Sequence, residues 1–273
     1  MLRMILLALA AALGSACVVN IPASWFGSSS SSFELDGVKI HYDDGVFEID
    51  GVELEHDRWI SLGGTLDAAS TKLQVLTATG SIDVEASEDR AYALDVHLYS
   101  EIEGDGEVLF EHGRLVARSA GGHKLLVNEV RGRAPDGLDA RFESGMGHVV
   151  VRGFSGPRMD IDTGMGDVDA TSLRVSELVI GAGMGAVAVT DSEGARLQTD
   201  NGMGDITLSG VRFDVITLDA GMGGVIVRDS EARELEADLG MGTLRLADTR
   251  LTYLTADIGM GDLVFEGNSP APE

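Results

Sequence analysis

Cysteine is missing from the chain after position 17, where Cys17 stands alone, so no disulfide can form within it and an oxidising compartment is tolerated but unused. Lysine is nearly missing too, with only Lys39, Lys72 and Lys124. Twenty basic against 45 acidic residues give a formal charge of −25, which argues against nucleic acid or an anionic membrane face as a ligand. Nothing after the first residues approaches about 18 consecutive apolar positions, so no later segment is expected to cross a bilayer. There is no His-Glu-x-x-His, no Gly-x-Ser-x-Gly and no phosphate loop, and His41, His56, His97, His112, His123 and His148 are scattered. His56-Asp57 near Trp59 is the most suggestive cluster and reads as surface-loop residues. No enzyme, cofactor or metal site is expected. The apolar fraction of 44% still provides for a folded core and argues against a disordered acidic tail.

What the chain has instead is a repeat. Gly-Met-Gly occurs seven times, beginning at Gly145, Gly164, Gly183, Gly202, Gly221, Gly240 and Gly259, and every interval is 19 residues. A short fixed period without slippage marks a solenoid, whose units bury their apolar faces against their neighbours. Two residues after each tripeptide stands a branched apolar residue (Val149, Val168, Val187, Ile206, Val225, Leu244, Leu263), with a second two further on, mostly aliphatic. That period of two is a strand. A second apolar pair, such as Leu235 and Ala237, closes each complete unit after a polar stretch such as residues 228–233. No unit has the roughly 10 residues of 3.6-residue periodicity that a helix needs. The expectation is an all-β chain: a parallel β-solenoid with 19-residue rungs and at least two strands per turn.

The tripeptides then become the corners. Backbones packed closely at a bend, with φ free to be positive, suit Gly145 and Gly147, Gly164 and Gly166, Gly183 and Gly185, Gly202 and Gly204, Gly221 and Gly223, Gly240 and Gly242, and Gly259 and Gly261. Rungs about 4.8 Å apart stack Met146, Met165, Met184, Met203, Met222, Met241 and Met260 into a structural ladder. Packing of an irregular corner is the expected use of these flexible thioethers. Soft-metal binding is the alternative, opposed by the lack of His or Cys beside the ladder except His148. Two Asp columns accompany it: Asp162, Asp200, Asp219, Asp238 and Asp257 before the glycines, and Asp167, Asp205 and Asp262 after them. Turn capping is the expected role, with calcium as the alternative.

Residues 1–17 read as an export signal, with Arg3, an apolar run of ten from Met4 to Leu13, and small residues up to Cys17. Leu13-Gly14-Ser15-Ala16-Cys17 resembles the bacterial lipobox in a looser form, with Leu one place further from the cysteine than usual; the resemblance implies lipidation of Cys17, while plain secretion stays open. Val18 in place of Asp after the cysteine suggests, by the same resemblance, the outer membrane. Residues 18–32, with serines from Ser28 to Ser32, form a tether. Residues 33–144 are strand-like but off the 19-residue register, with Asp36-Gly37, Asp44-Gly45 and Asp50-Gly51 as turns and a degenerate rung at residues 79–84. They are expected to form an irregular β cap grading into the array of residues 145–267, because an uncovered first rung would recruit other chains. Residues 268–273, with Pro270 and Pro272, are an expected disordered tail.

Units such as Gly202-Met203-Gly204-Asp205-Ile206-Thr207-Leu208 and Gly164-Met165-Gly166-Asp167-Val168 resemble the bacterial putative-adhesin β-strand-repeat family, a domain of unknown function, over about Leu73 to Gly267. The resemblance implies a β-solenoid in the cell envelope and brings no catalytic residues. The expected function is a lipid-anchored envelope module that binds envelope polymers or another protein, or serves a structural role. A glycan-active β-helix enzyme and a calcium-stabilised scaffold are the alternatives.

Overall fold

The structure is a computed structural model and describes residues 30–35, 38–43 and 46–267. The signal segment with Cys17, nearly all of the tether, the Asp36-Gly37 and Asp44-Gly45 turns and the tail from residue 268 lie outside the described residues.

Residues 145–267 form a two-sided parallel solenoid. Long strands alternate with short ones: β13 (Val149–Arg152), β14 (Ser155–Met165), β15 (Val168–Thr171), β16 (Arg174–Met184), β17 (Val187–Thr190), β18 (Glu193–Met203), β19 (Ile206–Ser209), β20 (Arg212–Met222), β21 (Val225–Arg228), β22 (Glu231–Met241), β23 (Leu244–Ala247), β24 (Arg250–Met260) and β25 (Leu263–Glu266). Long strands stack on long strands in one sheet and short on short in the other. Register is unbroken: Leu178, Leu197, Ile216, Leu235 and Leu254 are successive partners in one sheet, and Val168, Val187, Ile206, Val225, Leu244 and Leu263 in the other. Period-two alternation sends these columns inward, where Leu178, Leu197, Ile216 and Leu235 are fully buried. The polar stretch read between the two apolar pairs is shorter than expected, since Glu231, Ala232 and Arg233 already belong to β22.

Each rung turns twice. One bend follows the Gly-Met-Gly, with the long strand running through the Met and breaking at the second glycine. The other has no glycine tripeptide: Gly153, Ser172, Asp191, Gly210, Asp229, Asp248 and Gly267 occupy one column, all with φ between 47° and 75°. Gly, Asp and Ser are residues that tolerate or locally stabilise left-handed backbone. Just after this bend, buried Ser192 and Ser230 accept the backbone N–H of Leu173 (3.1 Å) and Val211 (3.2 Å), and each donates to a carbonyl two residues back.

The N-terminal part is β1 (Ser30–Leu35), β2 (Val38–Asp43), β3 (Val46–Ile49), β4 (Val52–Leu54), β5 (His56–Thr65), β6 (Lys72–Thr77), β7 (Ile82–Ser87), β8 (Ala91–Ser100), β9 (Glu107–Glu111), β10 (Arg114–Arg118), β11 (Leu125–Pro135) and β12 (Asp139–Ser144). Parallel stacking begins earlier than the tripeptides. β12 pairs with β6 (Ala140 with Leu73) and β13 with β7 (Val149 with Ile82), so Ala78-Thr79-Gly80 takes the corner below Gly145-Met146-Gly147. Residues 88–138 are inserted between these two rungs. Within the insertion β8 runs antiparallel to both β11 and β5, and β9 antiparallel to β10, which ends the parallel ladders at this side. Residues 107–118 are a hairpin turning at His112-Gly113, both with positive φ. β1 to β4 form a separate antiparallel meander whose last turn is Asp50-Gly51. Its Ile40, Phe47, Ile49 and Leu54 cluster with Ala78 and Leu126 and with half-buried Tyr42, Tyr99 and Met146, closing over the first corner.

The other end is open among the described residues. Leu263 and Phe265 are 39% and 38% exposed, whereas their partners one rung earlier, Leu244 and Leu246, are fully buried. No helix among the described residues is long and apolar enough to cross a membrane.

Candidate functional site

A solenoid displays its outer side chains as columns, one residue per rung, and four such columns and one aromatic cluster carry the chemistry of the surface. At the first corner, Gly166, Gly185, Gly204, Gly223, Gly242 and Gly261 all have φ between 130° and 155°, and a Cβ on any of them would stand within about 2.4 Å of the carbonyl oxygen of the glycine one rung earlier. The corner carbonyls are served by buried polar side chains: Thr163 donates to the Gly147 oxygen (3.0 Å), and Asn201 to those of Gly185 and Gly204 (3.1 and 2.9 Å).

The methionines lie between these glycines in one file, Met165, Met184, Met203, Met222, Met241 and Met260 being successive register partners. Their surroundings differ from the expected corner filling. Met203, Met222 and Met241 are about 40% exposed and Met260 is 64% exposed, so the column lies at the outer surface. The bend leaves the thioethers outside because Ser144, Thr163, Ala182, Asn201, Ala220 and Leu239, two positions earlier, already fill the inside of the corner.

The two Asp columns separate in role. Asp167 accepts the Ala186 N–H (2.8 Å) and Asp205 the Gly224 N–H (2.7 Å), each capping the corner one rung ahead. Because Ala186 and Gly224 follow Asp167 and Asp205 in the column, capping does not stack carboxylate directly on carboxylate there. The other column is not at a turn. Asp162, Asp200, Asp219, Asp238 and Asp257 lie within the long strands on their outer face, with Gly181 standing between the first two. Burial and the Glu143 carboxylate one rung below raise Asp162 to about 6, opposed by Arg141. Burial and the next carboxylate of the stack also raise Asp200 and Asp219. Among the described residues no group of three or more His, Cys, Asp or Glu side chains is placed to hold a metal ion.

At the start of the long strands, Arg174, Glu193, Arg212, Glu231 and Arg250 alternate in sign along one column. Arg174 meets Glu193 at 3.2 Å and Arg250 meets Glu231 at 3.6 Å. Arg174, Glu193 and Arg212 line a shallow concavity of about 460 Å³ together with Gly156, Gly194 and Ala195. In the sequence, the alternation of Arg and Glu at 38-residue intervals marks this column.

The aromatic cluster sits on the capping strands. Asp57 and Trp59 are on β5, a strand and not the expected loop, and point to the same outer face as their cross-strand partners Tyr99 and His97 on β8. His97, not His56, meets Asp57, through Nε2 at 2.7 Å. Its ring stacks on Trp59 with centroids 4.8 Å apart and planes 12° apart, and the Arg131 guanidinium from β11 lies 4.2 Å from the Trp59 ring centre. Burial, then Asp57, raise the Tyr99 phenol above its usual value. Trp59 stays 43% exposed, a rigid aromatic surface flanked by a cation and an imidazole–carboxylate pair. Such a surface can stack on a planar or ring-shaped ligand.

No protein-family model matches the chain, and no curated protein sequence matches it. Solved structures do. A crystal structure described as a "putative adhesin" from Bacteroides fragilis superposes with a TM-score of 0.50 at 16% identity, covering 76% of this chain and 97% of that one. A "putative adhesin" from Parabacteroides distasonis gives a TM-score of 0.47 at 15% identity, covering 78% and 96%. The first of these likenesses bears on fold: the chain shares the β-solenoid architecture of a bacterial protein described as a "putative adhesin".

Proposed function

We propose that this chain is a non-catalytic, lipid-anchored envelope protein whose solenoid is an adhesin-like binding module. The observation that carries the reading is the unbroken register of its rungs, which turns the methionines, the Asp stack and the Arg/Glu series into straight, ordered rows. Such rows suit an extended polymer or a partner's strand, and a long solenoid face is a common binding surface. The fold likeness to a protein described as a "putative adhesin" supports the same reading. The Trp59 cluster on the cap and the Arg/Glu column are the two contact surfaces offered to envelope glycans or another protein. A lipid on Cys17 would hold the module at the outer membrane.

The experiment has three arms. Mass spectrometry of the mature amino terminus is expected to find an acylated Cys17; a free terminus elsewhere would remove the anchor from the proposal. Full-length protein is expected to retain envelope material on a resin, with weaker retention for Trp59→Ala, and to leave a polysaccharide panel uncleaved. Turnover on that panel would replace the binding role by a glycan-active one. An unfolding temperature lowered by chelator would favour the calcium-stabilised scaffold.

A further inference from the structure

Within the seven 19-residue units only three columns hold one residue type throughout, and they are the Gly, the Met and the Gly of the tripeptide. The glycines are demanded by the backbone, since a Cβ on Gly202 or Gly204 would fall 2.5 or 2.1 Å from a carbonyl oxygen. Nothing comparable constrains the methionine. It is half-exposed from Met203 onward, and an exposed column elsewhere drifts freely: two places on, the units read His148, Asp167, Ala186, Asp205, Gly224, Thr243 and Asp262. An apolar role would not single out methionine either. In the inward columns Val, Ile and Leu replace one another from rung to rung, as at Val187, Ile206, Val225 and Leu244. What methionine has and those residues lack is the thioether sulfur.

We infer that the exposed methionine file is a binding site for soft monovalent cations, Cu(I) in the first place, held between thioethers of successive rungs. Thioethers are soft ligands that select Cu(I) over the hard cations a carboxylate prefers. The spacing suits it. Rungs lie about 4.8 Å apart, and two metal–sulfur bonds of about 2.3 Å each, laid end to end, nearly span that distance. The backbone is fixed for the purpose, because the carbonyls of Met203, Met222, Met241 and Met260 each accept the corner N–H of the rung before at 2.9 to 3.0 Å. The side chains above it are unbranched and free to converge on an ion between neighbouring rungs. Asp205 and Asp262 beside the file and the formal charge of −25 favour any cation at this edge. Met146 takes no part, since the meander packs over it. The inference is independent of the adhesin-like role, for it concerns a different edge from the Trp59 cluster.

The test uses full-length protein with methyl-labelled methionine, titrated with Ag(I) as a redox-silent probe and with Cu(I) in competition with a Cu(I) chelator. The expected result is that the methyl signals of Met203, Met222, Met241 and Met260 shift together, that about two ions bind per four thioethers, and that Met146 stays unmoved. Met222→Leu, which keeps the apolar volume, is expected to weaken Cu(I) binding roughly tenfold and to leave the unfolding temperature unchanged. Unmoved methyl signals on saturation would overturn the inference and leave the file as an apolar contact surface. Equal affinity of wild type and Met222→Leu would overturn it as well, placing the ion on carboxylates or His148. Retention of envelope material by Met222→Leu separates failure here from failure of the adhesin-like reading.

Discussion

A Cβ placed on Gly204 would stand 2.1 Å from the carbonyl oxygen of Gly185, the residue stacked beneath it, and the Gly204 backbone already has φ of 130°. Both conditions exclude a side chain, and neither can relax without lifting one rung from the next. Gly204→Val is therefore expected to destabilise the protein by roughly 1 to 3 kcal/mol or more. Arg228→Ala, at an exposed side chain whose guanidinium reaches the Ser209 hydroxyl at 3.2 Å, is expected to cost under about 0.5 kcal/mol. Denaturant unfolding of both variants checks this; equal and small effects would mean the corner is not where rungs are locked.

Burial along a column predicts a gradient. Leu235 has rungs on both sides and is fully buried, while Leu254, its partner in the last rung, is only partly buried. Truncation to alanine should cost about 2 to 5 kcal/mol at Leu235 and clearly less at Leu254. Parallel thermal melts of the two variants would decide it, and a larger loss at Leu254 would imply that something covers the last rung.

Asp162 links stability to pH. Its carboxyl is raised to about 6, so between about pH 4 and 6 the folded chain holds a proton that the unfolded chain releases. Stability contributed by this group therefore falls as pH rises through that window and is lowest above it. Asp162→Asn should match wild type near pH 4 and exceed it at pH 7, by up to about 3 kcal/mol if the full shift is expressed. Urea unfolding of both proteins across that range tests the sign; a variant less stable than wild type at pH 7 would show that the carboxylate is stabilised in the fold.

Ser230 bridges the second bend, accepting from the Val211 N–H and donating to the Arg228 carbonyl at 2.6 Å. Ser230→Ala leaves a buried N–H without that acceptor and is expected to cost about 1 to 3 kcal/mol. Hydrogen exchange should localise the effect at Val211 before the global melt reports it. Unchanged protection there would assign the serine to packing alone.

Legibility followed locality. Inward columns, corner glycines and the two-strand rung follow from side-chain alternation and from the steric demand of a close bend, both encoded within 19 residues. Ala78-Thr79-Gly80 was visible only as a degenerate rung, because the residues that stack on it come after a 51-residue insertion, 88–138. The second bend carried a Gly/Asp/Ser column as its signal, yet without a repeated motif its left-handed backbone went unread. His97 with Asp57 and Trp59 was beyond reach, since an antiparallel register between β5 and β8 joins residues about 40 apart.

The repeat alone was enough to establish the solenoid, its period and which residues face inward, because a rung can bury its apolar side chains only against a rung of the same pattern. Tertiary structure decided what each outer column meets. Whether a methionine lies in or out, whether an aspartate caps a neighbour or stands over another carboxylate, and which cap residues converge on Trp59 all depend on groups supplied by another rung or strand. Exposure and local field are properties of that assembled neighbourhood, and they arise only when the rungs are stacked.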